Sequence, residues 1–271
     1  MLRSLLLHLD DHPSAPARVD AAIRLARRFD AHLVGLSAVG RIPTSLGFGT
    51  GSLLGPALDG LREAARHRAQ AFAAQCRAAG LVSVETVLAA TDAREALVSH
   101  AHCSDLVLLS QATDGDERAL VEEVVLQSAR PTLIWPHSGA PATLGERVLV
   151  GWNDSPESAR ALTDALPLLC RAQQVVVMQC DTPLDAAPTE PARQRLEALR
   201  RWLMWHGVEA EVRLETSPID VGHELLCRAA DLGADLLVMG AWGRPRWAER
   251  VLGGATRTLL NGMTLPVLMS H

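Results

Sequence analysis

The sequence contains no tyrosine and few other aromatic residues. Only 3% of its 271 residues are aromatic, and alanine and leucine supply most of the apolar side chains. This composition suits helices that pack closely on a sheet. The formal net charge is −5. Because the chain lacks a basic field that would attract a polyanion, we expect no nucleic-acid partner.

Long apolar runs and paired cysteine motifs are also missing. The five cysteines are widely spaced and form no C-x-x-C motif, which argues against a disulfide framework and predicts a reducing compartment. The first apolar run is too short for a signal peptide, and no run approaches the ~18–20 apolar residues that cross a membrane. We therefore expect a cytoplasmic protein without a membrane partner.

The two halves of the sequence repeat each other. The matched segments are Ser4–Asp11 with Arg147–Asp154, Asp105–Ser110 with Asp235–Gly240, and Pro131–Trp135 with Pro266–Ser270. In the first pair, a shift of 143 residues places Asp10 on Asn153 and Pro13 on Pro156. Several matches in the same order indicate two tandem domains, at 1–138 and 146–271, joined near the Pro- and Gly-containing segment His137–Gly145.

Each half alternates between short apolar runs and helical periodicity. Runs such as Leu5–Leu9 and Leu236–Met239 lack strict alternation, which is typical of strands buried on both faces of a parallel sheet. Helical stretches lie between them, and Ser155-Pro156 reads as a helix cap followed by proline at the first position. Pro167 is expected to end or bend that helix. The pattern predicts two α/β domains, each a five-stranded parallel, doubly wound sheet with helices on both faces.

One glycine pattern indicates a site that can bind phosphate. The strand Leu236–Met239 is followed by G-x-x-G at Gly240 and Gly243, then by nine residues and Gly253-Gly254 at the start of a predicted helix. Glycines let a ligand approach the backbone closely, and the free N–H groups of a helix N-terminus bind phosphate. The sequence contains no Walker motif.

This pattern resembles the ATP-binding signature of the universal stress protein family. D-S-P-E-S-A at 154–159, G-A-D-L-L-V-M-G at 233–240 and L-P-V-L-M at 265–269 also fit the family. The resemblance covers nearly the whole chain and implies adenine nucleotide α-hydrolase-like sheets packed as a pseudo-two-fold pair. Thr132–Trp135 and Val267–Met269 are then neighbouring strands. Family members also pair between chains, so a homodimer is left open.

The resemblance also implies a nucleotide site in the second half. Asn153, with Asp154, takes the place of an acid near adenine, and Cys180 ends the second strand beside the base. Met239 and Gly240 are implied to line the ribose and α-phosphate, and the later glycines to hold phosphates. The implied residues are Gly151, Trp152, Asn153, Asp154, Cys180, Met239, Gly240, Gly243, Arg244, Gly253, Gly254 and Ala255. The expected cofactor is ATP, with accompanying Mg²⁺ left open.

Two substitutions depart from the family pattern. Gly254 replaces a Ser or Thr, and the lost hydroxyl hydrogen bond, about 1 kcal/mol, would weaken ATP binding several-fold. Asn153 replaces the acid. In the first half, Ser110–Thr113 replaces G-x-x-G, and the segment from Ser110 to Pro131 spans 21 positions against 26 from Gly240 to Pro266. Acidic residues crowd this shorter loop, so we interpret the first site as degenerate.

Other clusters are interpreted as structural. His100, His102 and Cys103 lie on a predicted helix where i and i+2 side chains face different ways, so we predict no metal site. The segment Gly47–Gly55 is interpreted as a loop at the ligand edge. We expect no catalytic residue, and no metal-binding acid is evident near the glycines. Two hypotheses stay open: a stress-response protein that binds an adenine nucleotide with at most slow hydrolysis, or a nucleotide-independent interaction module or binder of another small molecule.

Overall fold

The chain alternates strands and helices, as the periodicity predicts. The computed structural model describes residues 1–39, 51–138, 141–181, 189–217, 220–243 and 254–271, without the side chains of 51–55, 57, 181 and 189. The elements are β1 (Ser4–His8), α1 (Ala15–Phe29), β2 (His32–Ala38), α2 (Gly51–Ala78), β3 (Val84–Ala89), α3 (Ala93–Ala101), β4 (Leu106–Ser110), α4 (Gly115–Gln127), β5 (Thr132–Trp135), β6 (Arg147–Trp152), α5 (Pro156–Leu169), β7 (Gln174–Asp181), α6 (Thr189–Trp205), β8 (Ala210–Thr216), α7 (Val221–Asp231), β9 (Leu236–Gly240), α8 (Gly254–Gly262) and β10 (Val267–Ser270). None of the described helices is long and apolar enough to span a membrane.

The chain divides into two compact units. The first unit comprises Met1–Ser110 and Ala119–Arg130, and the second comprises Gln111–Arg118 and Pro131–His271. The domain limits at 1–138 and 146–271 remain a prediction from the repeat.

The first unit contains a parallel sheet in the order β3-β2-β1-β4. Leu5, Leu6 and Leu7 in its central strand are fully buried. Consecutive buried residues in a strand require cover on both faces, and this explains why the sequence showed no alternation. Residues 47–50 of the predicted glycine-rich loop lie outside the described residues. From Gly51 the chain is helical, so the loop prediction is wrong for residues 51–55.

The second unit contains a sheet in the order β5-β10-β9-β6-β7-β8. Five of its strands are parallel, as predicted. Strand β5 pairs with β10 and runs antiparallel to it, with Leu133 opposite Leu268. The predicted pairing of the last strands of the two repeats is therefore confirmed.

An aspartate anchors the start of the first strand in each repeat. Asp105 accepts hydrogen bonds from the backbone N–H groups of Arg3 (2.6 Å) and Ser4 (3.0 Å). Asp235 accepts the equivalent bonds from Glu146 (3.0 Å) and Arg147 (3.0 Å). The repeat is therefore visible in side-chain interactions as well as in strand order.

Helix α5 begins as its sequence predicts but ends later. The Ser155 hydroxyl accepts a hydrogen bond from the Ser158 N–H, and the Ser158 hydroxyl accepts one from the Ser155 N–H. Pro156 occupies the first turn. This capping box satisfies helix N–H groups that have no partner within the helix. Of the two alternatives for Pro167, that it ends the helix is wrong, because α5 continues to Leu169; that it bends the helix stays a prediction.

Candidate functional site

The sheet of the second unit has a topological switch point between β6 and β9. From β6 the chain proceeds through β7 to β8 on one side, and it returns to β9 and β10 on the other. Gly151 at the end of β6 pairs with Met239 of β9 on one side and Met178 of β7 on the other. In open α/β sheets, ligands bind outside the carboxyl ends of the strands at such a reversal. The loops after β6 and β9 therefore flank the crevice.

The loop after β6 carries an ion pair. Gly151 and Trp152 are half-buried at the end of the strand, and Asn153 is exposed. Asp154 has a left-handed backbone conformation with φ 57°, which Asp tolerates better than most residues. Its Oδ2 lies 2.9 Å from Nε of Arg195 on α6. The acid beside the expected adenine position is thus already engaged by an arginine.

The strand ends on either side of β6 are buried. Cys180 of β7 and Met239 of β9 are both nearly inaccessible. Gly240 follows Met239, and a β-carbon added there would lie 2.5 Å from both Glu157 C and Ser158 N. No side chain fits in that space, so the close approach of α5 by itself requires glycine at position 240.

The G-x-x-G loop is strained and fixed to the last strand. The Ala241 N–H donates to Ser270 O at 2.9 Å, and His271 Nδ1 lies 3.0 Å from Ala241 O. Trp242 is buried, yet it has φ 52°. This backbone conformation costs a bulky residue about 1–3 kcal/mol and persists where the surroundings impose it, often at functional sites.

Helix α8 begins at Gly254, as the sequence predicts, with Ala255 in its first turn. Helix α7 packs closely beside it, because a β-carbon added at Gly222 would lie 2.7 Å from Ala255 O. Gly254 and Ala255 therefore offer a helix N-terminus of the kind that binds anions. Arg244 and Gly253 lie outside the described residues.

Two acids lie beside the described glycines, although the sequence suggested none there. A β-carbon added at Gly243 would lie 2.9 Å from Glu157 Oε2, and one added at Gly254 would lie 3.2 Å from Asp220 Oδ1. The sequence feature that could have predicted the place of Glu157 is its position in the first turn of the helix after β6. That turn must lie at the same sheet edge as the loop after β9. Asp220 precedes α7 as its cap, and only the packing of α7 on α8 brings it to Gly254.

The sequence of the second half matches a known family. The model of the universal stress protein family matches residues 145–271. Residues 145–271 are a universal stress protein domain. The family resemblance inferred from the glycine motif is thereby confirmed.

Solved structures extend the likeness to the whole chain. A universal stress protein from Archaeoglobus fulgidus DSM 4304 is 16% identical with a TM-score of 0.79, and the match covers 98% of this chain and 96% of that one. A functionally unknown protein from Pseudomonas aeruginosa PAO1 is 19% identical with a TM-score of 0.63, covering 99% of this chain and 92% of its own. These matches show the fold and fit a tandem architecture. No curated protein gives a significant match.

The first unit fills the corresponding sheet edge with its own side chains. Arg18, which is fully buried, donates to His8 O (2.8 Å), to Asp10 Oδ1 (2.8 Å) and to the Ser110 hydroxyl. The repeat shift of 143 residues places Arg18 on Ala161 of the universal stress protein domain. A small residue in the second unit therefore corresponds to a buried guanidinium in the first.

Asp10 is the acid that the family pattern would place near adenine, and in the first unit it is already neutralised. Its Oδ2 lies 3.0 Å from His8 Nδ1, in addition to the contact with Arg18. Burial alone would raise the pKa of Asp10, but the hydrogen bond from His8 and the charge of Arg18 outweigh it and hold the pKa well below its ordinary value. A carboxylate that is satisfied internally has little left to offer a ligand.

The segment that replaces G-x-x-G in the first repeat has a structural role. Gln111 is 1% exposed, and its amide nitrogen donates to Leu260 O at the end of α8 at 2.9 Å. Its amide oxygen accepts from the His137 N–H at 3.1 Å. The Gln111 side chain thus satisfies a carbonyl that a helix end leaves unpaired.

Proposed function

We propose that this chain binds ATP or a related adenine nucleotide at the carboxyl edge of its universal stress protein domain. The proposed site comprises the twelve residues that the family resemblance implies. The observation that carries the proposal is the position of the loops after β6 and β9, which flank the switch point of the sheet. The strained loop at Trp242 and the helix N-terminus at Gly254 support it further.

The donors available at this edge suit a phosphate group. The first N–H groups of α8 have no acceptor within the helix, and Gly254 places no side chain between them and a ligand. Glu157 Oε2 is buried and has no hydrogen-bond partner among the described residues. A buried oxygen without a hydrogen-bond partner needs an explanation, and a bound group that offers it a donor or a positive charge is one.

A nucleotide-independent role is the second candidate. Glu157 and Asp220 place negative charge beside Gly243 and Gly254, and Gly254 lacks the hydroxyl of the family pattern. These features oppose an anion and favour an interaction module or a site for an uncharged small molecule. The balance depends on whether a cation accompanies the phosphates.

We propose no catalytic residue for the site. Hydrolysis of a bound nucleotide is at most slow. All five cysteines are free, which suits the reducing cytoplasm. A stress-response role follows from the family, and pairing of the repeats within one chain, or of two chains, remains part of the proposal.

The test is direct measurement of ligand binding. Protein purified without added nucleotide is denatured and the released small molecules are identified, and ATP is then titrated calorimetrically with Mg²⁺ present. We expect binding by the wild type and its loss in Gly243→Asp, because the new carboxylate meets Glu157 and the incoming phosphates.

Gly115→Asp is the matched control. It introduces the same charge at a glycine whose added β-carbon would contact nothing within 4 Å, so fold and affinity should not change. If no nucleotide co-purifies and millimolar ATP gives no heat, the nucleotide proposal is wrong. If Gly243→Asp binds as the wild type does, the site is assigned to the wrong edge.

A further inference from the structure

The proposed phosphate loop has a carboxylate where an anion has to approach. Glu157 occupies the first turn of α5, after Pro156. Its Oε2 lies 2.9 Å and its Cδ 3.5 Å from a β-carbon added at Gly243. The side chain therefore lies against the backbone of that glycine. A phosphate bound by the Gly243 N–H would lie close to this carboxylate, and like charges at such distances repel strongly when partly buried.

Within the part of the chain that the structure describes, no positive charge contacts the buried oxygen of Glu157. Its Oε2 is buried, and among the described residues no donor reaches it. The equivalent edge of the first unit differs, because there Arg18 and His8 both contact Asp10. A buried carboxylate oxygen without a partner is unfavourable. A ligand that supplies a positive charge would therefore be stabilised by pairing with it.

Other oxygen atoms lie near the same point. The Ser155 hydroxyl oxygen lies 3.4 Å from the β-carbon added at Gly243, from which Glu157 Oε2 lies 2.9 Å. Carboxylate, hydroxyl and phosphate oxygens are the ligands of hard divalent cations, and Mg²⁺ is commonly held by one or two carboxylates together with substrate phosphates. Within the described residues, no group of three or more His, Cys, Asp or Glu could hold a metal ion. A cation therefore needs the phosphates to complete its coordination.

We propose that Glu157 is the protein ligand of a divalent cation that enters the site together with the nucleotide, which makes nucleotide binding by this chain depend on the cation. This inference rests on the proposed function, since it concerns the same site. It also answers the objection raised by Glu157, because the cation offsets the charge of this carboxylate and of the phosphates at once. Glu157, which the family pattern does not assign to the ligand, becomes a determinant of affinity.

The experiment compares ATP binding with saturating Mg²⁺ and with a chelator, by calorimetry, in the wild type and in Glu157→Gln. In the wild type, we expect roughly tenfold or greater weakening when the cation is removed, because an unshielded carboxylate then faces the phosphates. In Glu157→Gln, we expect the two affinities to agree within about threefold, since the amide neither repels phosphate nor binds Mg²⁺ strongly. Mn²⁺ titrated without nucleotide should show no binding below millimolar concentration.

Glu95→Gln is the matched control. Glu95 is an exposed acid in the first turn of α3, so its replacement removes the same charge from a helix start while leaving the cation dependence at its wild-type value. Thermal unfolding of each variant verifies that it is folded. Glu157→Asp, which keeps the charge, should retain part of the cation dependence.

The outcomes separate this inference from the proposed function. ATP binding that is equally tight with and without Mg²⁺ in the wild type overturns the role of Glu157 but leaves nucleotide binding intact. Equal weakening of Glu157→Gln under both conditions also overturns it, because Glu157 would then accept a hydrogen bond from the ligand, for example from a ribose hydroxyl. Absence of ATP binding by the wild type under both conditions overturns the proposed function, and the cation proposal with it.

Discussion

Replacing Asp10 with Asn tests the buried charge network of the first unit. The substitution keeps the size of the side chain and one oxygen that accepts hydrogen bonds, but it removes the negative charge beside Arg18. The Arg18 side chain is 0% exposed and that of Asp10 is 24% exposed. After the substitution the guanidinium remains buried and charged, and its described acceptors, the His8 carbonyl, the Ser110 hydroxyl and the new amide oxygen, are all neutral.

The expected loss of stability follows from this burial. Removing one partner of a fully buried ion pair costs about 3–5 kcal/mol, because an uncompensated charge is left in the interior. Asp10 is partly accessible and Asn keeps one acceptor, so we expect a smaller loss of about 2–3 kcal/mol. Asp11→Asn is the matched control. Asp11 forms a shorter contact of 2.6 Å with Arg68, but its side chain is 80% exposed, and exposed pairs contribute only about 0–1 kcal/mol.

The two variants are compared by urea unfolding at neutral pH, with two probes. All six tryptophans follow residue 131, so their fluorescence reports on the second unit, whereas far-ultraviolet circular dichroism reports on both. We expect the dichroism transition to shift to lower urea in Asp10→Asn and to move little in Asp11→Asn. Equal free energies of unfolding for the two variants would refute the reasoning, because contact distance rather than burial would then set the contribution.

The same pair predicts a dependence on pH. The pKa of Asp10 is lowered in the folded state, so the unfolded chain binds more protons in the acid range and the folded state is favoured as pH rises. The contribution is complete above the unfolded pKa near ~4 and is lost as pH falls toward the folded value. The difference in stability between wild type and Asp10→Asn should therefore be constant near neutrality and shrink below about pH 4. A difference that grows in acid would contradict this assignment.

Two further predictions concern other buried groups. Asp235 is 4% exposed and accepts from the N–H groups of Glu146 and Arg147, so Asp235→Ala should cost about 2–3 kcal/mol in the fluorescence-detected transition, and a cost under about 0.5 kcal/mol would contradict its anchoring role. Cys103, Cys170 and Cys227 are exposed, whereas Cys76 and Cys180 are buried, and burial raises the pKa of Cys76 to about 11. A thiol reagent at mildly alkaline pH should therefore modify three cysteines quickly and the other two only after denaturation, and rapid modification of all five would contradict the burial.

Much of the fold could be predicted because its signals are local. The buried strands, the start of α5 at its cap and the start of α8 at Gly254 each follow from a short stretch of sequence. The pairing of β5 with β10 followed from the family resemblance, since adjacency of distant strands is not encoded locally. The end of α5 was misjudged because proline in the last turn removes a single hydrogen bond, which packing of the buried face offsets.

The site was predicted less completely because its chemistry depends on contacts between elements. The glycines were located from their spacing, but the reason for Gly240 is the approach of α5, which no spacing reveals. Glu157 and Asp220 lie 86 and 34 positions before the glycines they contact. Likewise, Arg18 of α1 and Ser110 at the end of β4 lie 92 positions apart, and only the fold brings them together.

The two units handle negative charge at the same sheet edge in different ways. In the first unit, the carboxylate after β1 faces an arginine from α1, and its hydrogen-bonding capacity is used within the protein. In the second unit, the position of that arginine is taken by Ala161, which is too small to reach a carboxylate, and Glu157 Oε2 is left without a donor among the described residues. An edge that is neutralised by its own guanidinium gains nothing from a cation. An edge that lacks one can gain both a cation and the phosphates that the cation carries. The difference between Arg18 and Ala161 is therefore one reason, beside the glycine loop, why ligand binding is proposed for one unit and not for the other.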